Sequence, residues 1–548
     1  MNQRNSRIIL NTIKDYQEDE YDVVIERYKT LEITMALAKT RSNCIEWIKL
    51  LPDEKVLEWG ADYGAITGTL CKKSSHVVCF EHDPAKSKII KERTKGCVNP
   101  PTIYSDIHQF NEDFNDCHFS TIFLIGSLEK ATQYFKSNRP EEALLAYLSN
   151  FLAQDGQIII VCANKFGLKY WSGCFEENSR RLFEGLEGYP NRPEFNSFTI
   201  HGMERIAKNS KLFIDDVKFL YPDHKITFAI FSHEYQPYIS SLYLNNFPWE
   251  EKRAKLFSET KVFDNILRED LFFVFSNAFL FVLKKRNAGK NTEPVCNKQI
   301  FIKYSNVRSQ KFQIRTDIIQ DKYGNRVVEK RGLHDATYTF LNNMLDTYRN
   351  NYQTLAEHNI DLIPCQAKDD YIVFEYMSGP TFSEHLCELL NKRKTSQFKK
   401  EILLFFNRLK HASPGNFHIT EEFVQVFGDV NFDTLQISAP ISNIDLNFDN
   451  IFVHKKRYTI IDYEWTFNFP IPMGFIINGS LSIFLNHFET DHNEWKILKK
   501  ELLGLLNISD QDVIQFNHMW YTFKDYMMGE NQSTVREYNH SKSVKILS

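Results

Sequence analysis

No Cys-x-x-Cys pair occurs in this 548-residue chain, and its 10 cysteines are scattered at 44, 71, 79, 97, 117, 162, 174, 296, 365 and 387. Neither a zinc site nor a disulfide framework has that spacing. Several of them, such as Cys79 and Cys162, sit inside apolar strand patterns. The expectation is free thiols in a reducing compartment. An excess of either charge is also missing. The net charge is −4, without the basic surplus of a dedicated nucleic-acid binder. No apolar run reaches the length of a membrane span. Leu271–Leu283 comes closest and reads as a buried strand. The opening Met1–Arg7 is polar and no long apolar core follows, so no secretory leader is expected. These absences lead us to expect a cytoplasmic protein, with peripheral attachment at the inner face of a membrane left open. There is no internal repeat.

The length exceeds what one core holds, so several domains are expected. A content of 43% hydrophobic and 25% charged residues is that of an ordinary globular protein. The 45 Phe and 25 Tyr read as filling for well-packed cores.

Residues 1–50 have the charge mixture and apolar spacing of helices. From Lys55 short apolar runs alternate with helical stretches: Val56–Trp59, Val77–Phe80, Thr121–Ile125 and Gln157–Val161. That alternation predicts βαβ units and a parallel sheet over 51–285, with further strands near Lys225–Ser232 and Phe272–Lys284. The polar stretch 286–298, interrupted by Gly289 and Pro294, reads as a linker. Over 299–530 the pattern differs. Strands are expected at Ile300–Tyr304, Lys311–Ile319 and Arg326–Lys330, a helix over His334–Leu355, a strand at Tyr371–Met377, and mostly helix beyond. Residues 531–548 read as a tail.

Two motifs carry chemistry. In the first half, Leu57-Glu58-Trp59-Gly60-Ala61-Asp62-Tyr63-Gly64 closes one strand and opens a helix. Glycine there lets the backbone approach a ligand. Glu81 ends the next strand, where an acid accepts hydrogen bonds from ribose hydroxyls. Asp106 and Ile107 follow the third strand position and are placed to address adenine, and Gly126 ends the fourth strand facing the same crevice. This half resembles the class I S-adenosylmethionine (SAM)-dependent methyltransferases, with Asp62 standing where a middle glycine is common. The segments Cys162–Gly173, Leu124–Glu129 and Tyr221–Lys225 resemble a bacterial subgroup from surface-polysaccharide gene sets. That resemblance implies acceptor-side roles for Asn164, Lys165 and Tyr170. An rRNA adenine dimethylase is the runner-up. Ile125-Gly-Ser-Leu-Glu129 stands where such enzymes carry a polar-Pro-Pro-aromatic clamp for the amine.

In the second half, Asp445 is followed five residues later by Asn450, and Asp462 ends a following apolar strand. Phosphoryl transfer needs oxygen ligands for Mg²⁺, a cation on the phosphates and a carboxylate to orient the acceptor. Asn450 and Asp462 are the metal-ligand candidates, Asp445 the orienting or basic carboxylate, and Lys330 the phosphate cation. Arg308 lies in the turn where a glycine-rich loop is otherwise expected. Glu375 and Met377 would form the adenine hinge. No acid in the following helix is an evident partner for Lys330; Asp335 is the nearest. This half resembles kinase-like phosphotransferases of the aminoglycoside and choline kinase type, which implies ATP and Mg²⁺.

The fold class expected is therefore an α/β Rossmann-like methyltransferase domain followed by an α+β, two-lobed protein-kinase-like domain. The pairing resembles bifunctional kinase–methyltransferases of bacterial surface-polysaccharide synthesis. It implies a glycan or lipid-linked saccharide acceptor and a glycosyltransferase partner. Two alternatives stay open: a methyltransferase with a non-catalytic kinase-shaped module, and an assembly protein with neither chemistry.

Overall fold

The computed structural model describes residues 3–28, 30–115, 118–239, 241–242, 254–286, 297–486, 493–529 and 544–545. The linker expected at 286–298 and the tail at 531–548 fall almost entirely outside them. The described residues group into two compact units, one running to Tyr304 and the other beginning at Ser305. None of their helices is long and apolar enough to cross a membrane.

The first unit opens with helices Gln3–Asp15, Tyr21–Tyr28 and Leu31–Leu37. Their apolar faces, including Ile9, Val24, Ile33 and Leu37, close over Tyr63 and Ile89. The helical lead-in is thus packed onto the first strand-to-helix turn of the sheet. Tyr63 Oη ties it down further by donating to Glu32 Oε1 at 2.5 Å.

The strands of this unit are β1 (Lys55–Trp59), β2 (His76–Phe80), β3 (Thr102–Tyr104), β4 (Phe119–Ile125), β5 (Leu152–Ala163), β6 (Leu212–Pro222) and β7 (Thr227–Phe231). They continue with β8 (Ala254–Lys255), which stands outside the main sheet, β9 (Ala278–Lys285) and β10 (Asn297–Tyr304). The main-sheet order is β3-β2-β1-β4-β5-β9-β6-β7-β10. β3, β2, β1, β4 and β5 are parallel, whereas β9 runs antiparallel to both β5 and β6. Strands buried on both faces read as unbroken apolar runs, which is why Val77–Phe80 and Ile158–Val161 were legible. The strand order reverses between β1 and β4, and ligands bind in the crevice outside such a switch point. This unit has the Rossmann-like fold expected from the sequence.

Three elements differ from expectation. Leu271–Leu283 is not one strand: Phe272–Phe275 forms a helical turn and β9 starts only at Ala278. The cause is Asn164, whose Nδ2 donates to the carbonyls of Val274 and Ser276, both at 2.7 Å. Those carbonyls are thereby satisfied without a strand partner. β6 escaped notice because Asp215, Asp216 and Lys218 interrupt its apolar run; Lys218 is buried against Asp216 at 2.9 Å. Finally, β10 was assigned to the second half by its apolar pattern, yet it pairs antiparallel with β7 and belongs to the first unit.

The second unit contains β11 (Ile314–Asp321), β12 (Arg326–Gly332), β13 (Ile360–Leu362), β14 (Cys365–Lys368), β15 (Tyr371–Glu375), β16 (Ile451–His454) and β17 (Arg457–Ile460). β11-β12-β15-β14 form antiparallel neighbours. β13-β17-β16 form a separate small sheet. The expected helix starts at Tyr338 and runs to Glu357, preceded by a short 3-10 turn over Asp335–Thr337. Helices dominate from Phe382 onward. The unit is α+β, with an aromatic core. Phe448 sits at its centre, its ring meeting Phe382 at 5.2 Å, Phe484 at 5.6 Å and Phe406 at 6.0 Å. It anchors the segment that carries Asp445 and Asn450. Phe448→Ala is expected to destabilise this unit by about 3–5 kcal/mol. Urea unfolding followed by circular dichroism checks it, and a loss under about 1 kcal/mol would mean that the site segment is held elsewhere.

Candidate functional site

β1 ends at Trp59, stacked on Phe80 at 4.0 Å, and the chain turns at Gly60 with φ +75°. A Cβ there would lie 2.6 Å from Ser127 Cβ and 2.9 Å from the Tyr134 hydroxyl. Only glycine fits, on both sterics and dihedral. Asp62, the departure from the glycine pattern, takes a left-handed φ of +53°, which aspartate adopts more readily than most residues. Its carboxylate pairs with Lys86.

Glu81 fixes this turn from the end of β2. Its carboxylate accepts from the amide of Asp62 at 2.8 Å and from that of Asp83 at 3.0 Å. Glu58, Gly60, Glu81 and Gly126 all line one cleft at the switch point. The remaining first-half candidates lie elsewhere. Gly64 packs against Ile90 inside the turn. Asp106 caps the helix Ile107–Phe114 by accepting from the His108 amide at 2.7 Å. Ile107 packs on the apolar core. Neither Asp106 nor Ile107 lines the cleft. Nor do Asn164, Lys165 and Tyr170. Asn164 and Tyr170 are buried, and Asn164 clamps the Val274 and Ser276 carbonyls.

Glu58 is buried and accepts from the Thr67 hydroxyl at 2.7 Å and the Cys79 thiol at 3.4 Å. Burial nonetheless pushes its carboxyl up to about 7. Arg41 lines the same cleft, and sequence reasoning missed it. Its residue is 9% exposed, and Nε and Nη1 have no hydrogen-bond partner. A buried guanidinium with unfilled donors is a receptor for a carboxylate or phosphate. No motif marks it in the helical lead-in. The cleft therefore offers an acid suited to ribose, a glycine turn for close approach and a cation for a carboxylate. Those are the groups of SAM, and the residues fit it.

In the second unit Lys330, on β12, is buried with Nζ 2.7 Å from Asp462 Oδ1 and 3.0 Å from Glu464 Oε2. Arg308 completes the group at 2.6 Å from Glu464 Oε1, its guanidinium 5.0 Å above the Trp465 ring. Glu464 is the acid that sequence reasoning missed; Asp335 sits exposed in the 3-10 turn. Asn443 links the two acidic segments. It accepts from the Asp445 amide at 2.9 Å and donates to the Asp462 carbonyl at 3.0 Å. Asn450 Nδ2 donates to the Asp445 carbonyl at 3.0 Å. Glu375, exposed at the end of β15, donates its amide to the Pro364 carbonyl at 3.2 Å. Met377 is half-buried beyond it.

Three carboxyl groups here face two cations. Burial raises Glu464, but Arg308 and Lys330 outweigh it and hold that carboxyl far below the usual range. Asp445 is compensated only in part by Arg308 and Lys330. Burial, then the charges of Glu464 and Asp462, push it up to about 7. Carboxylate and amide oxygens are the donors that a hard divalent cation takes.

No family model matches the chain. The Ribosomal RNA small subunit methyltransferase A of Mesomycoplasma hyopneumoniae (strain 232) is 23% identical over 221 residues, which is 40% of this chain and 72% of that protein. A TehB-like SAM-dependent methyltransferase from Corynebacterium glutamicum superposes with TM-score 0.26 at 12% identity, covering 49% of this chain and 100% of that one. Mycolic acid cyclopropane synthase CmaA1, complexed with SAH and CTAB, gives TM-score 0.29 at 14% identity, covering 52% of this chain and 94% of that one. Superpositions this partial add nothing to the strand order. None of these proteins is named as a kinase or a polysaccharide enzyme.

The raised carboxyl of Glu58 has a signed consequence. Its folded value lies above the ordinary 4.5, so its contribution to stability is fullest below that value and is lost as pH rises towards about 7. Glu58→Gln should remove that loss, on the order of 3 kcal/mol. Urea unfolding of the variant and the parent at about pH 5 and about pH 8 should show a gap that widens with pH. A constant gap would place Glu58 in a wetter site.

Proposed function

We propose that the first unit is a SAM-dependent methyltransferase. The observation that carries this is the cleft at the switch point, lined by Gly60, Glu81 and Arg41, whose Nε and Nη1 lack hydrogen-bond partners. SAM, when bound, supplies a methyl group activated on a sulfonium. The chain's own residues bind and orient it: Glu81 takes the ribose hydroxyls, Gly60 admits the backbone approach, and Arg41 takes the carboxylate. In-line placement of an acceptor then supplies much of the rate. The likeness to a methyltransferase over 221 residues supports the same reading.

We further propose that the second unit is a kinase-like phosphotransferase. The Lys330–Asp462–Glu464–Arg308 group favours this, as does its closeness to the Asp445–Asn450 segment. Lys330 and Arg308 would hold phosphates, Asp462 and Asn450 would hold Mg²⁺, and Asp445 would orient the acceptor hydroxyl. The pairing of two transferases suits a surface glycan that is phosphorylated and methylated. A lipid-linked saccharide is the acceptor proposed, with a glycosyltransferase as partner at the inner face of the membrane. The rRNA relative keeps a nucleic-acid acceptor as the competitor. Against it, Ser127 is spent on the Trp59 carbonyl at 2.8 Å, and Leu128 and Glu129 are buried. No amine clamp projects from that segment.

Calorimetric titration tests both readings. The parent should bind SAM, and Arg41→Ala should weaken it about tenfold or more, the value of one charge-assisted hydrogen bond. ATP with Mg²⁺ should bind separately, and Asp462→Ala should abolish that binding. SAM binding alone would make the second unit a non-catalytic module. Binding of neither would leave an assembly protein.

A further inference from the structure

Away from the Lys330 group, the second unit gathers positive charge on one face. The helix Phe382–Asn391 ends in a turn, and the helix Thr395–His411 begins directly after it. Lys392, Arg393 and Lys394 occupy that turn, all exposed, and Lys399 and Lys400 follow within two helical turns. Phe398 between them is buried, its ring 5.8 Å from that of Phe484. It holds the start of this helix against the core and leaves the lysines outside. The helix Asn493–Leu505 joins the same face, because Lys399 Nζ lies 2.5 Å from Glu501 Oε1. Leu498 and Leu502 bury its inner side. At the helical period, Ile497 and Leu505 stand one turn to either side of Glu501. They are 64% and 55% exposed. Lys496 and Lys500, also exposed, run alongside.

The charges of this face do not cancel. Lys392 pairs with Glu388, Lys399 with Glu501 and Lys500 with Asp510. Arg393, Lys394, Lys400 and Lys496 enter no ion pair among the described residues. The chain as a whole has a net charge of −4, so this surplus is local. The acid inside the apolar stripe, Glu501, is the one that Lys399 neutralises. A helix turned wholly to water carries polar side chains where Ile497 and Leu505 stand. An apolar stripe with its acid neutralised and lysines along its rim is the pattern of a helix lying in a lipid interface. A single-stranded nucleic acid would use the same cations but stacks its bases on aromatic rings, and the stripe offers aliphatic side chains.

We propose that this face docks on an anionic lipid surface. Headgroup phosphates meet Arg393, Lys394, Lys400 and Lys496, while Ile497 and Leu505 enter the boundary between headgroups and acyl chains. The surface stands apart from the chemistry proposed for either unit, and it gives the membrane location proposed above a physical means. Each unpaired cation near such a surface strengthens binding about fivefold. The attraction is screened by salt, whereas the burial of Ile497 and Leu505 is not. Attachment through both is reversible and needs no spanning helix.

Flotation of the full-length protein with lipid vesicles tests this. Vesicles of phosphatidylcholine mixed with phosphatidylglycerol should carry the protein upward, and vesicles of phosphatidylcholine alone should leave most of it behind. Arg393→Asn, Lys394→Gln and Lys400→Gln together remove three cations from exposed positions, and asparagine tolerates the φ of +57° at position 393. At low salt the partition of this variant onto the anionic vesicles should fall about a hundredfold. Ile497→Ser with Leu505→Ser should weaken binding severalfold and leave its salt dependence in place. Thermal unfolding followed by circular dichroism establishes that both variants fold, with Lys400→Glu and Leu505→Ser as single replacements where a combination does not. Equal binding to the two kinds of vesicle would overturn the proposal, as would undiminished binding by either variant. Retention of the protein by poly(U) RNA in preference to anionic vesicles would overturn it in favour of a nucleic-acid face. None of these results bears on SAM or ATP binding, which calorimetry reads separately.

Discussion

A carboxylate taken out of water is costly by several kcal/mol unless donors or a cation meet it, and each unit is organised around that constraint. Glu81 is met by two backbone amides, and meeting it bends the chain after β1 into the turn that only Gly60 permits. Asp462 and Glu464 are met by Lys330 and Arg308, and meeting them draws β12 and the segment after β17 together. Where the compensation is incomplete, the chemistry is concentrated. Glu58 has only neutral donors and rises to about 7. Asp445 is the third acid beside two cations and also rises to about 7. Groups so poised are the ones able to exchange protons near neutrality.

The opposite imbalance marks Arg41. It is a cation buried without a hydrogen-bond partner for Nε or Nη1, and such a group gains more from an incoming anion than a solvated one does. The first unit therefore presents a spare positive charge at the cleft, beside a carboxylate already engaged with the backbone. In the proposed reading they would take the carboxylate and the ribose of SAM, respectively.

The sequence made legible what is local. β1, its turn and Glu81 follow one another within a short span, and the apolar run of a doubly buried strand needs no tertiary knowledge to read. The spacing of Asp445, Asn450 and Asp462 is likewise local. What failed depended on distant partners. Asn164 reshapes Phe272–Phe275 from more than a hundred residues upstream. β10 has the apolar pattern of any strand, and composition does not say which neighbour it joins. Arg41 and Glu464 carry no motif; each acquires meaning only through groups that the fold brings to it. Asp106, at a position plausible for ligand contact, serves as a helix cap.

The placement of Glu464 also bears on how Lys330 can be governed. Both acids that hold this lysine come from one three-residue stretch, and neither comes from the helix Tyr338–Glu357 that follows β12. That helix reaches the lysine through the acidic segment, because Phe340 meets the Trp465 ring at 4.9 Å and Asn343 Nδ2 donates to the Thr466 carbonyl. Any displacement of Asp462–Trp465 would pull on Lys330 and Arg308 at once. The strand and the acidic segment behave as a single mechanical part, and a control element must grip that segment to be felt at the lysine.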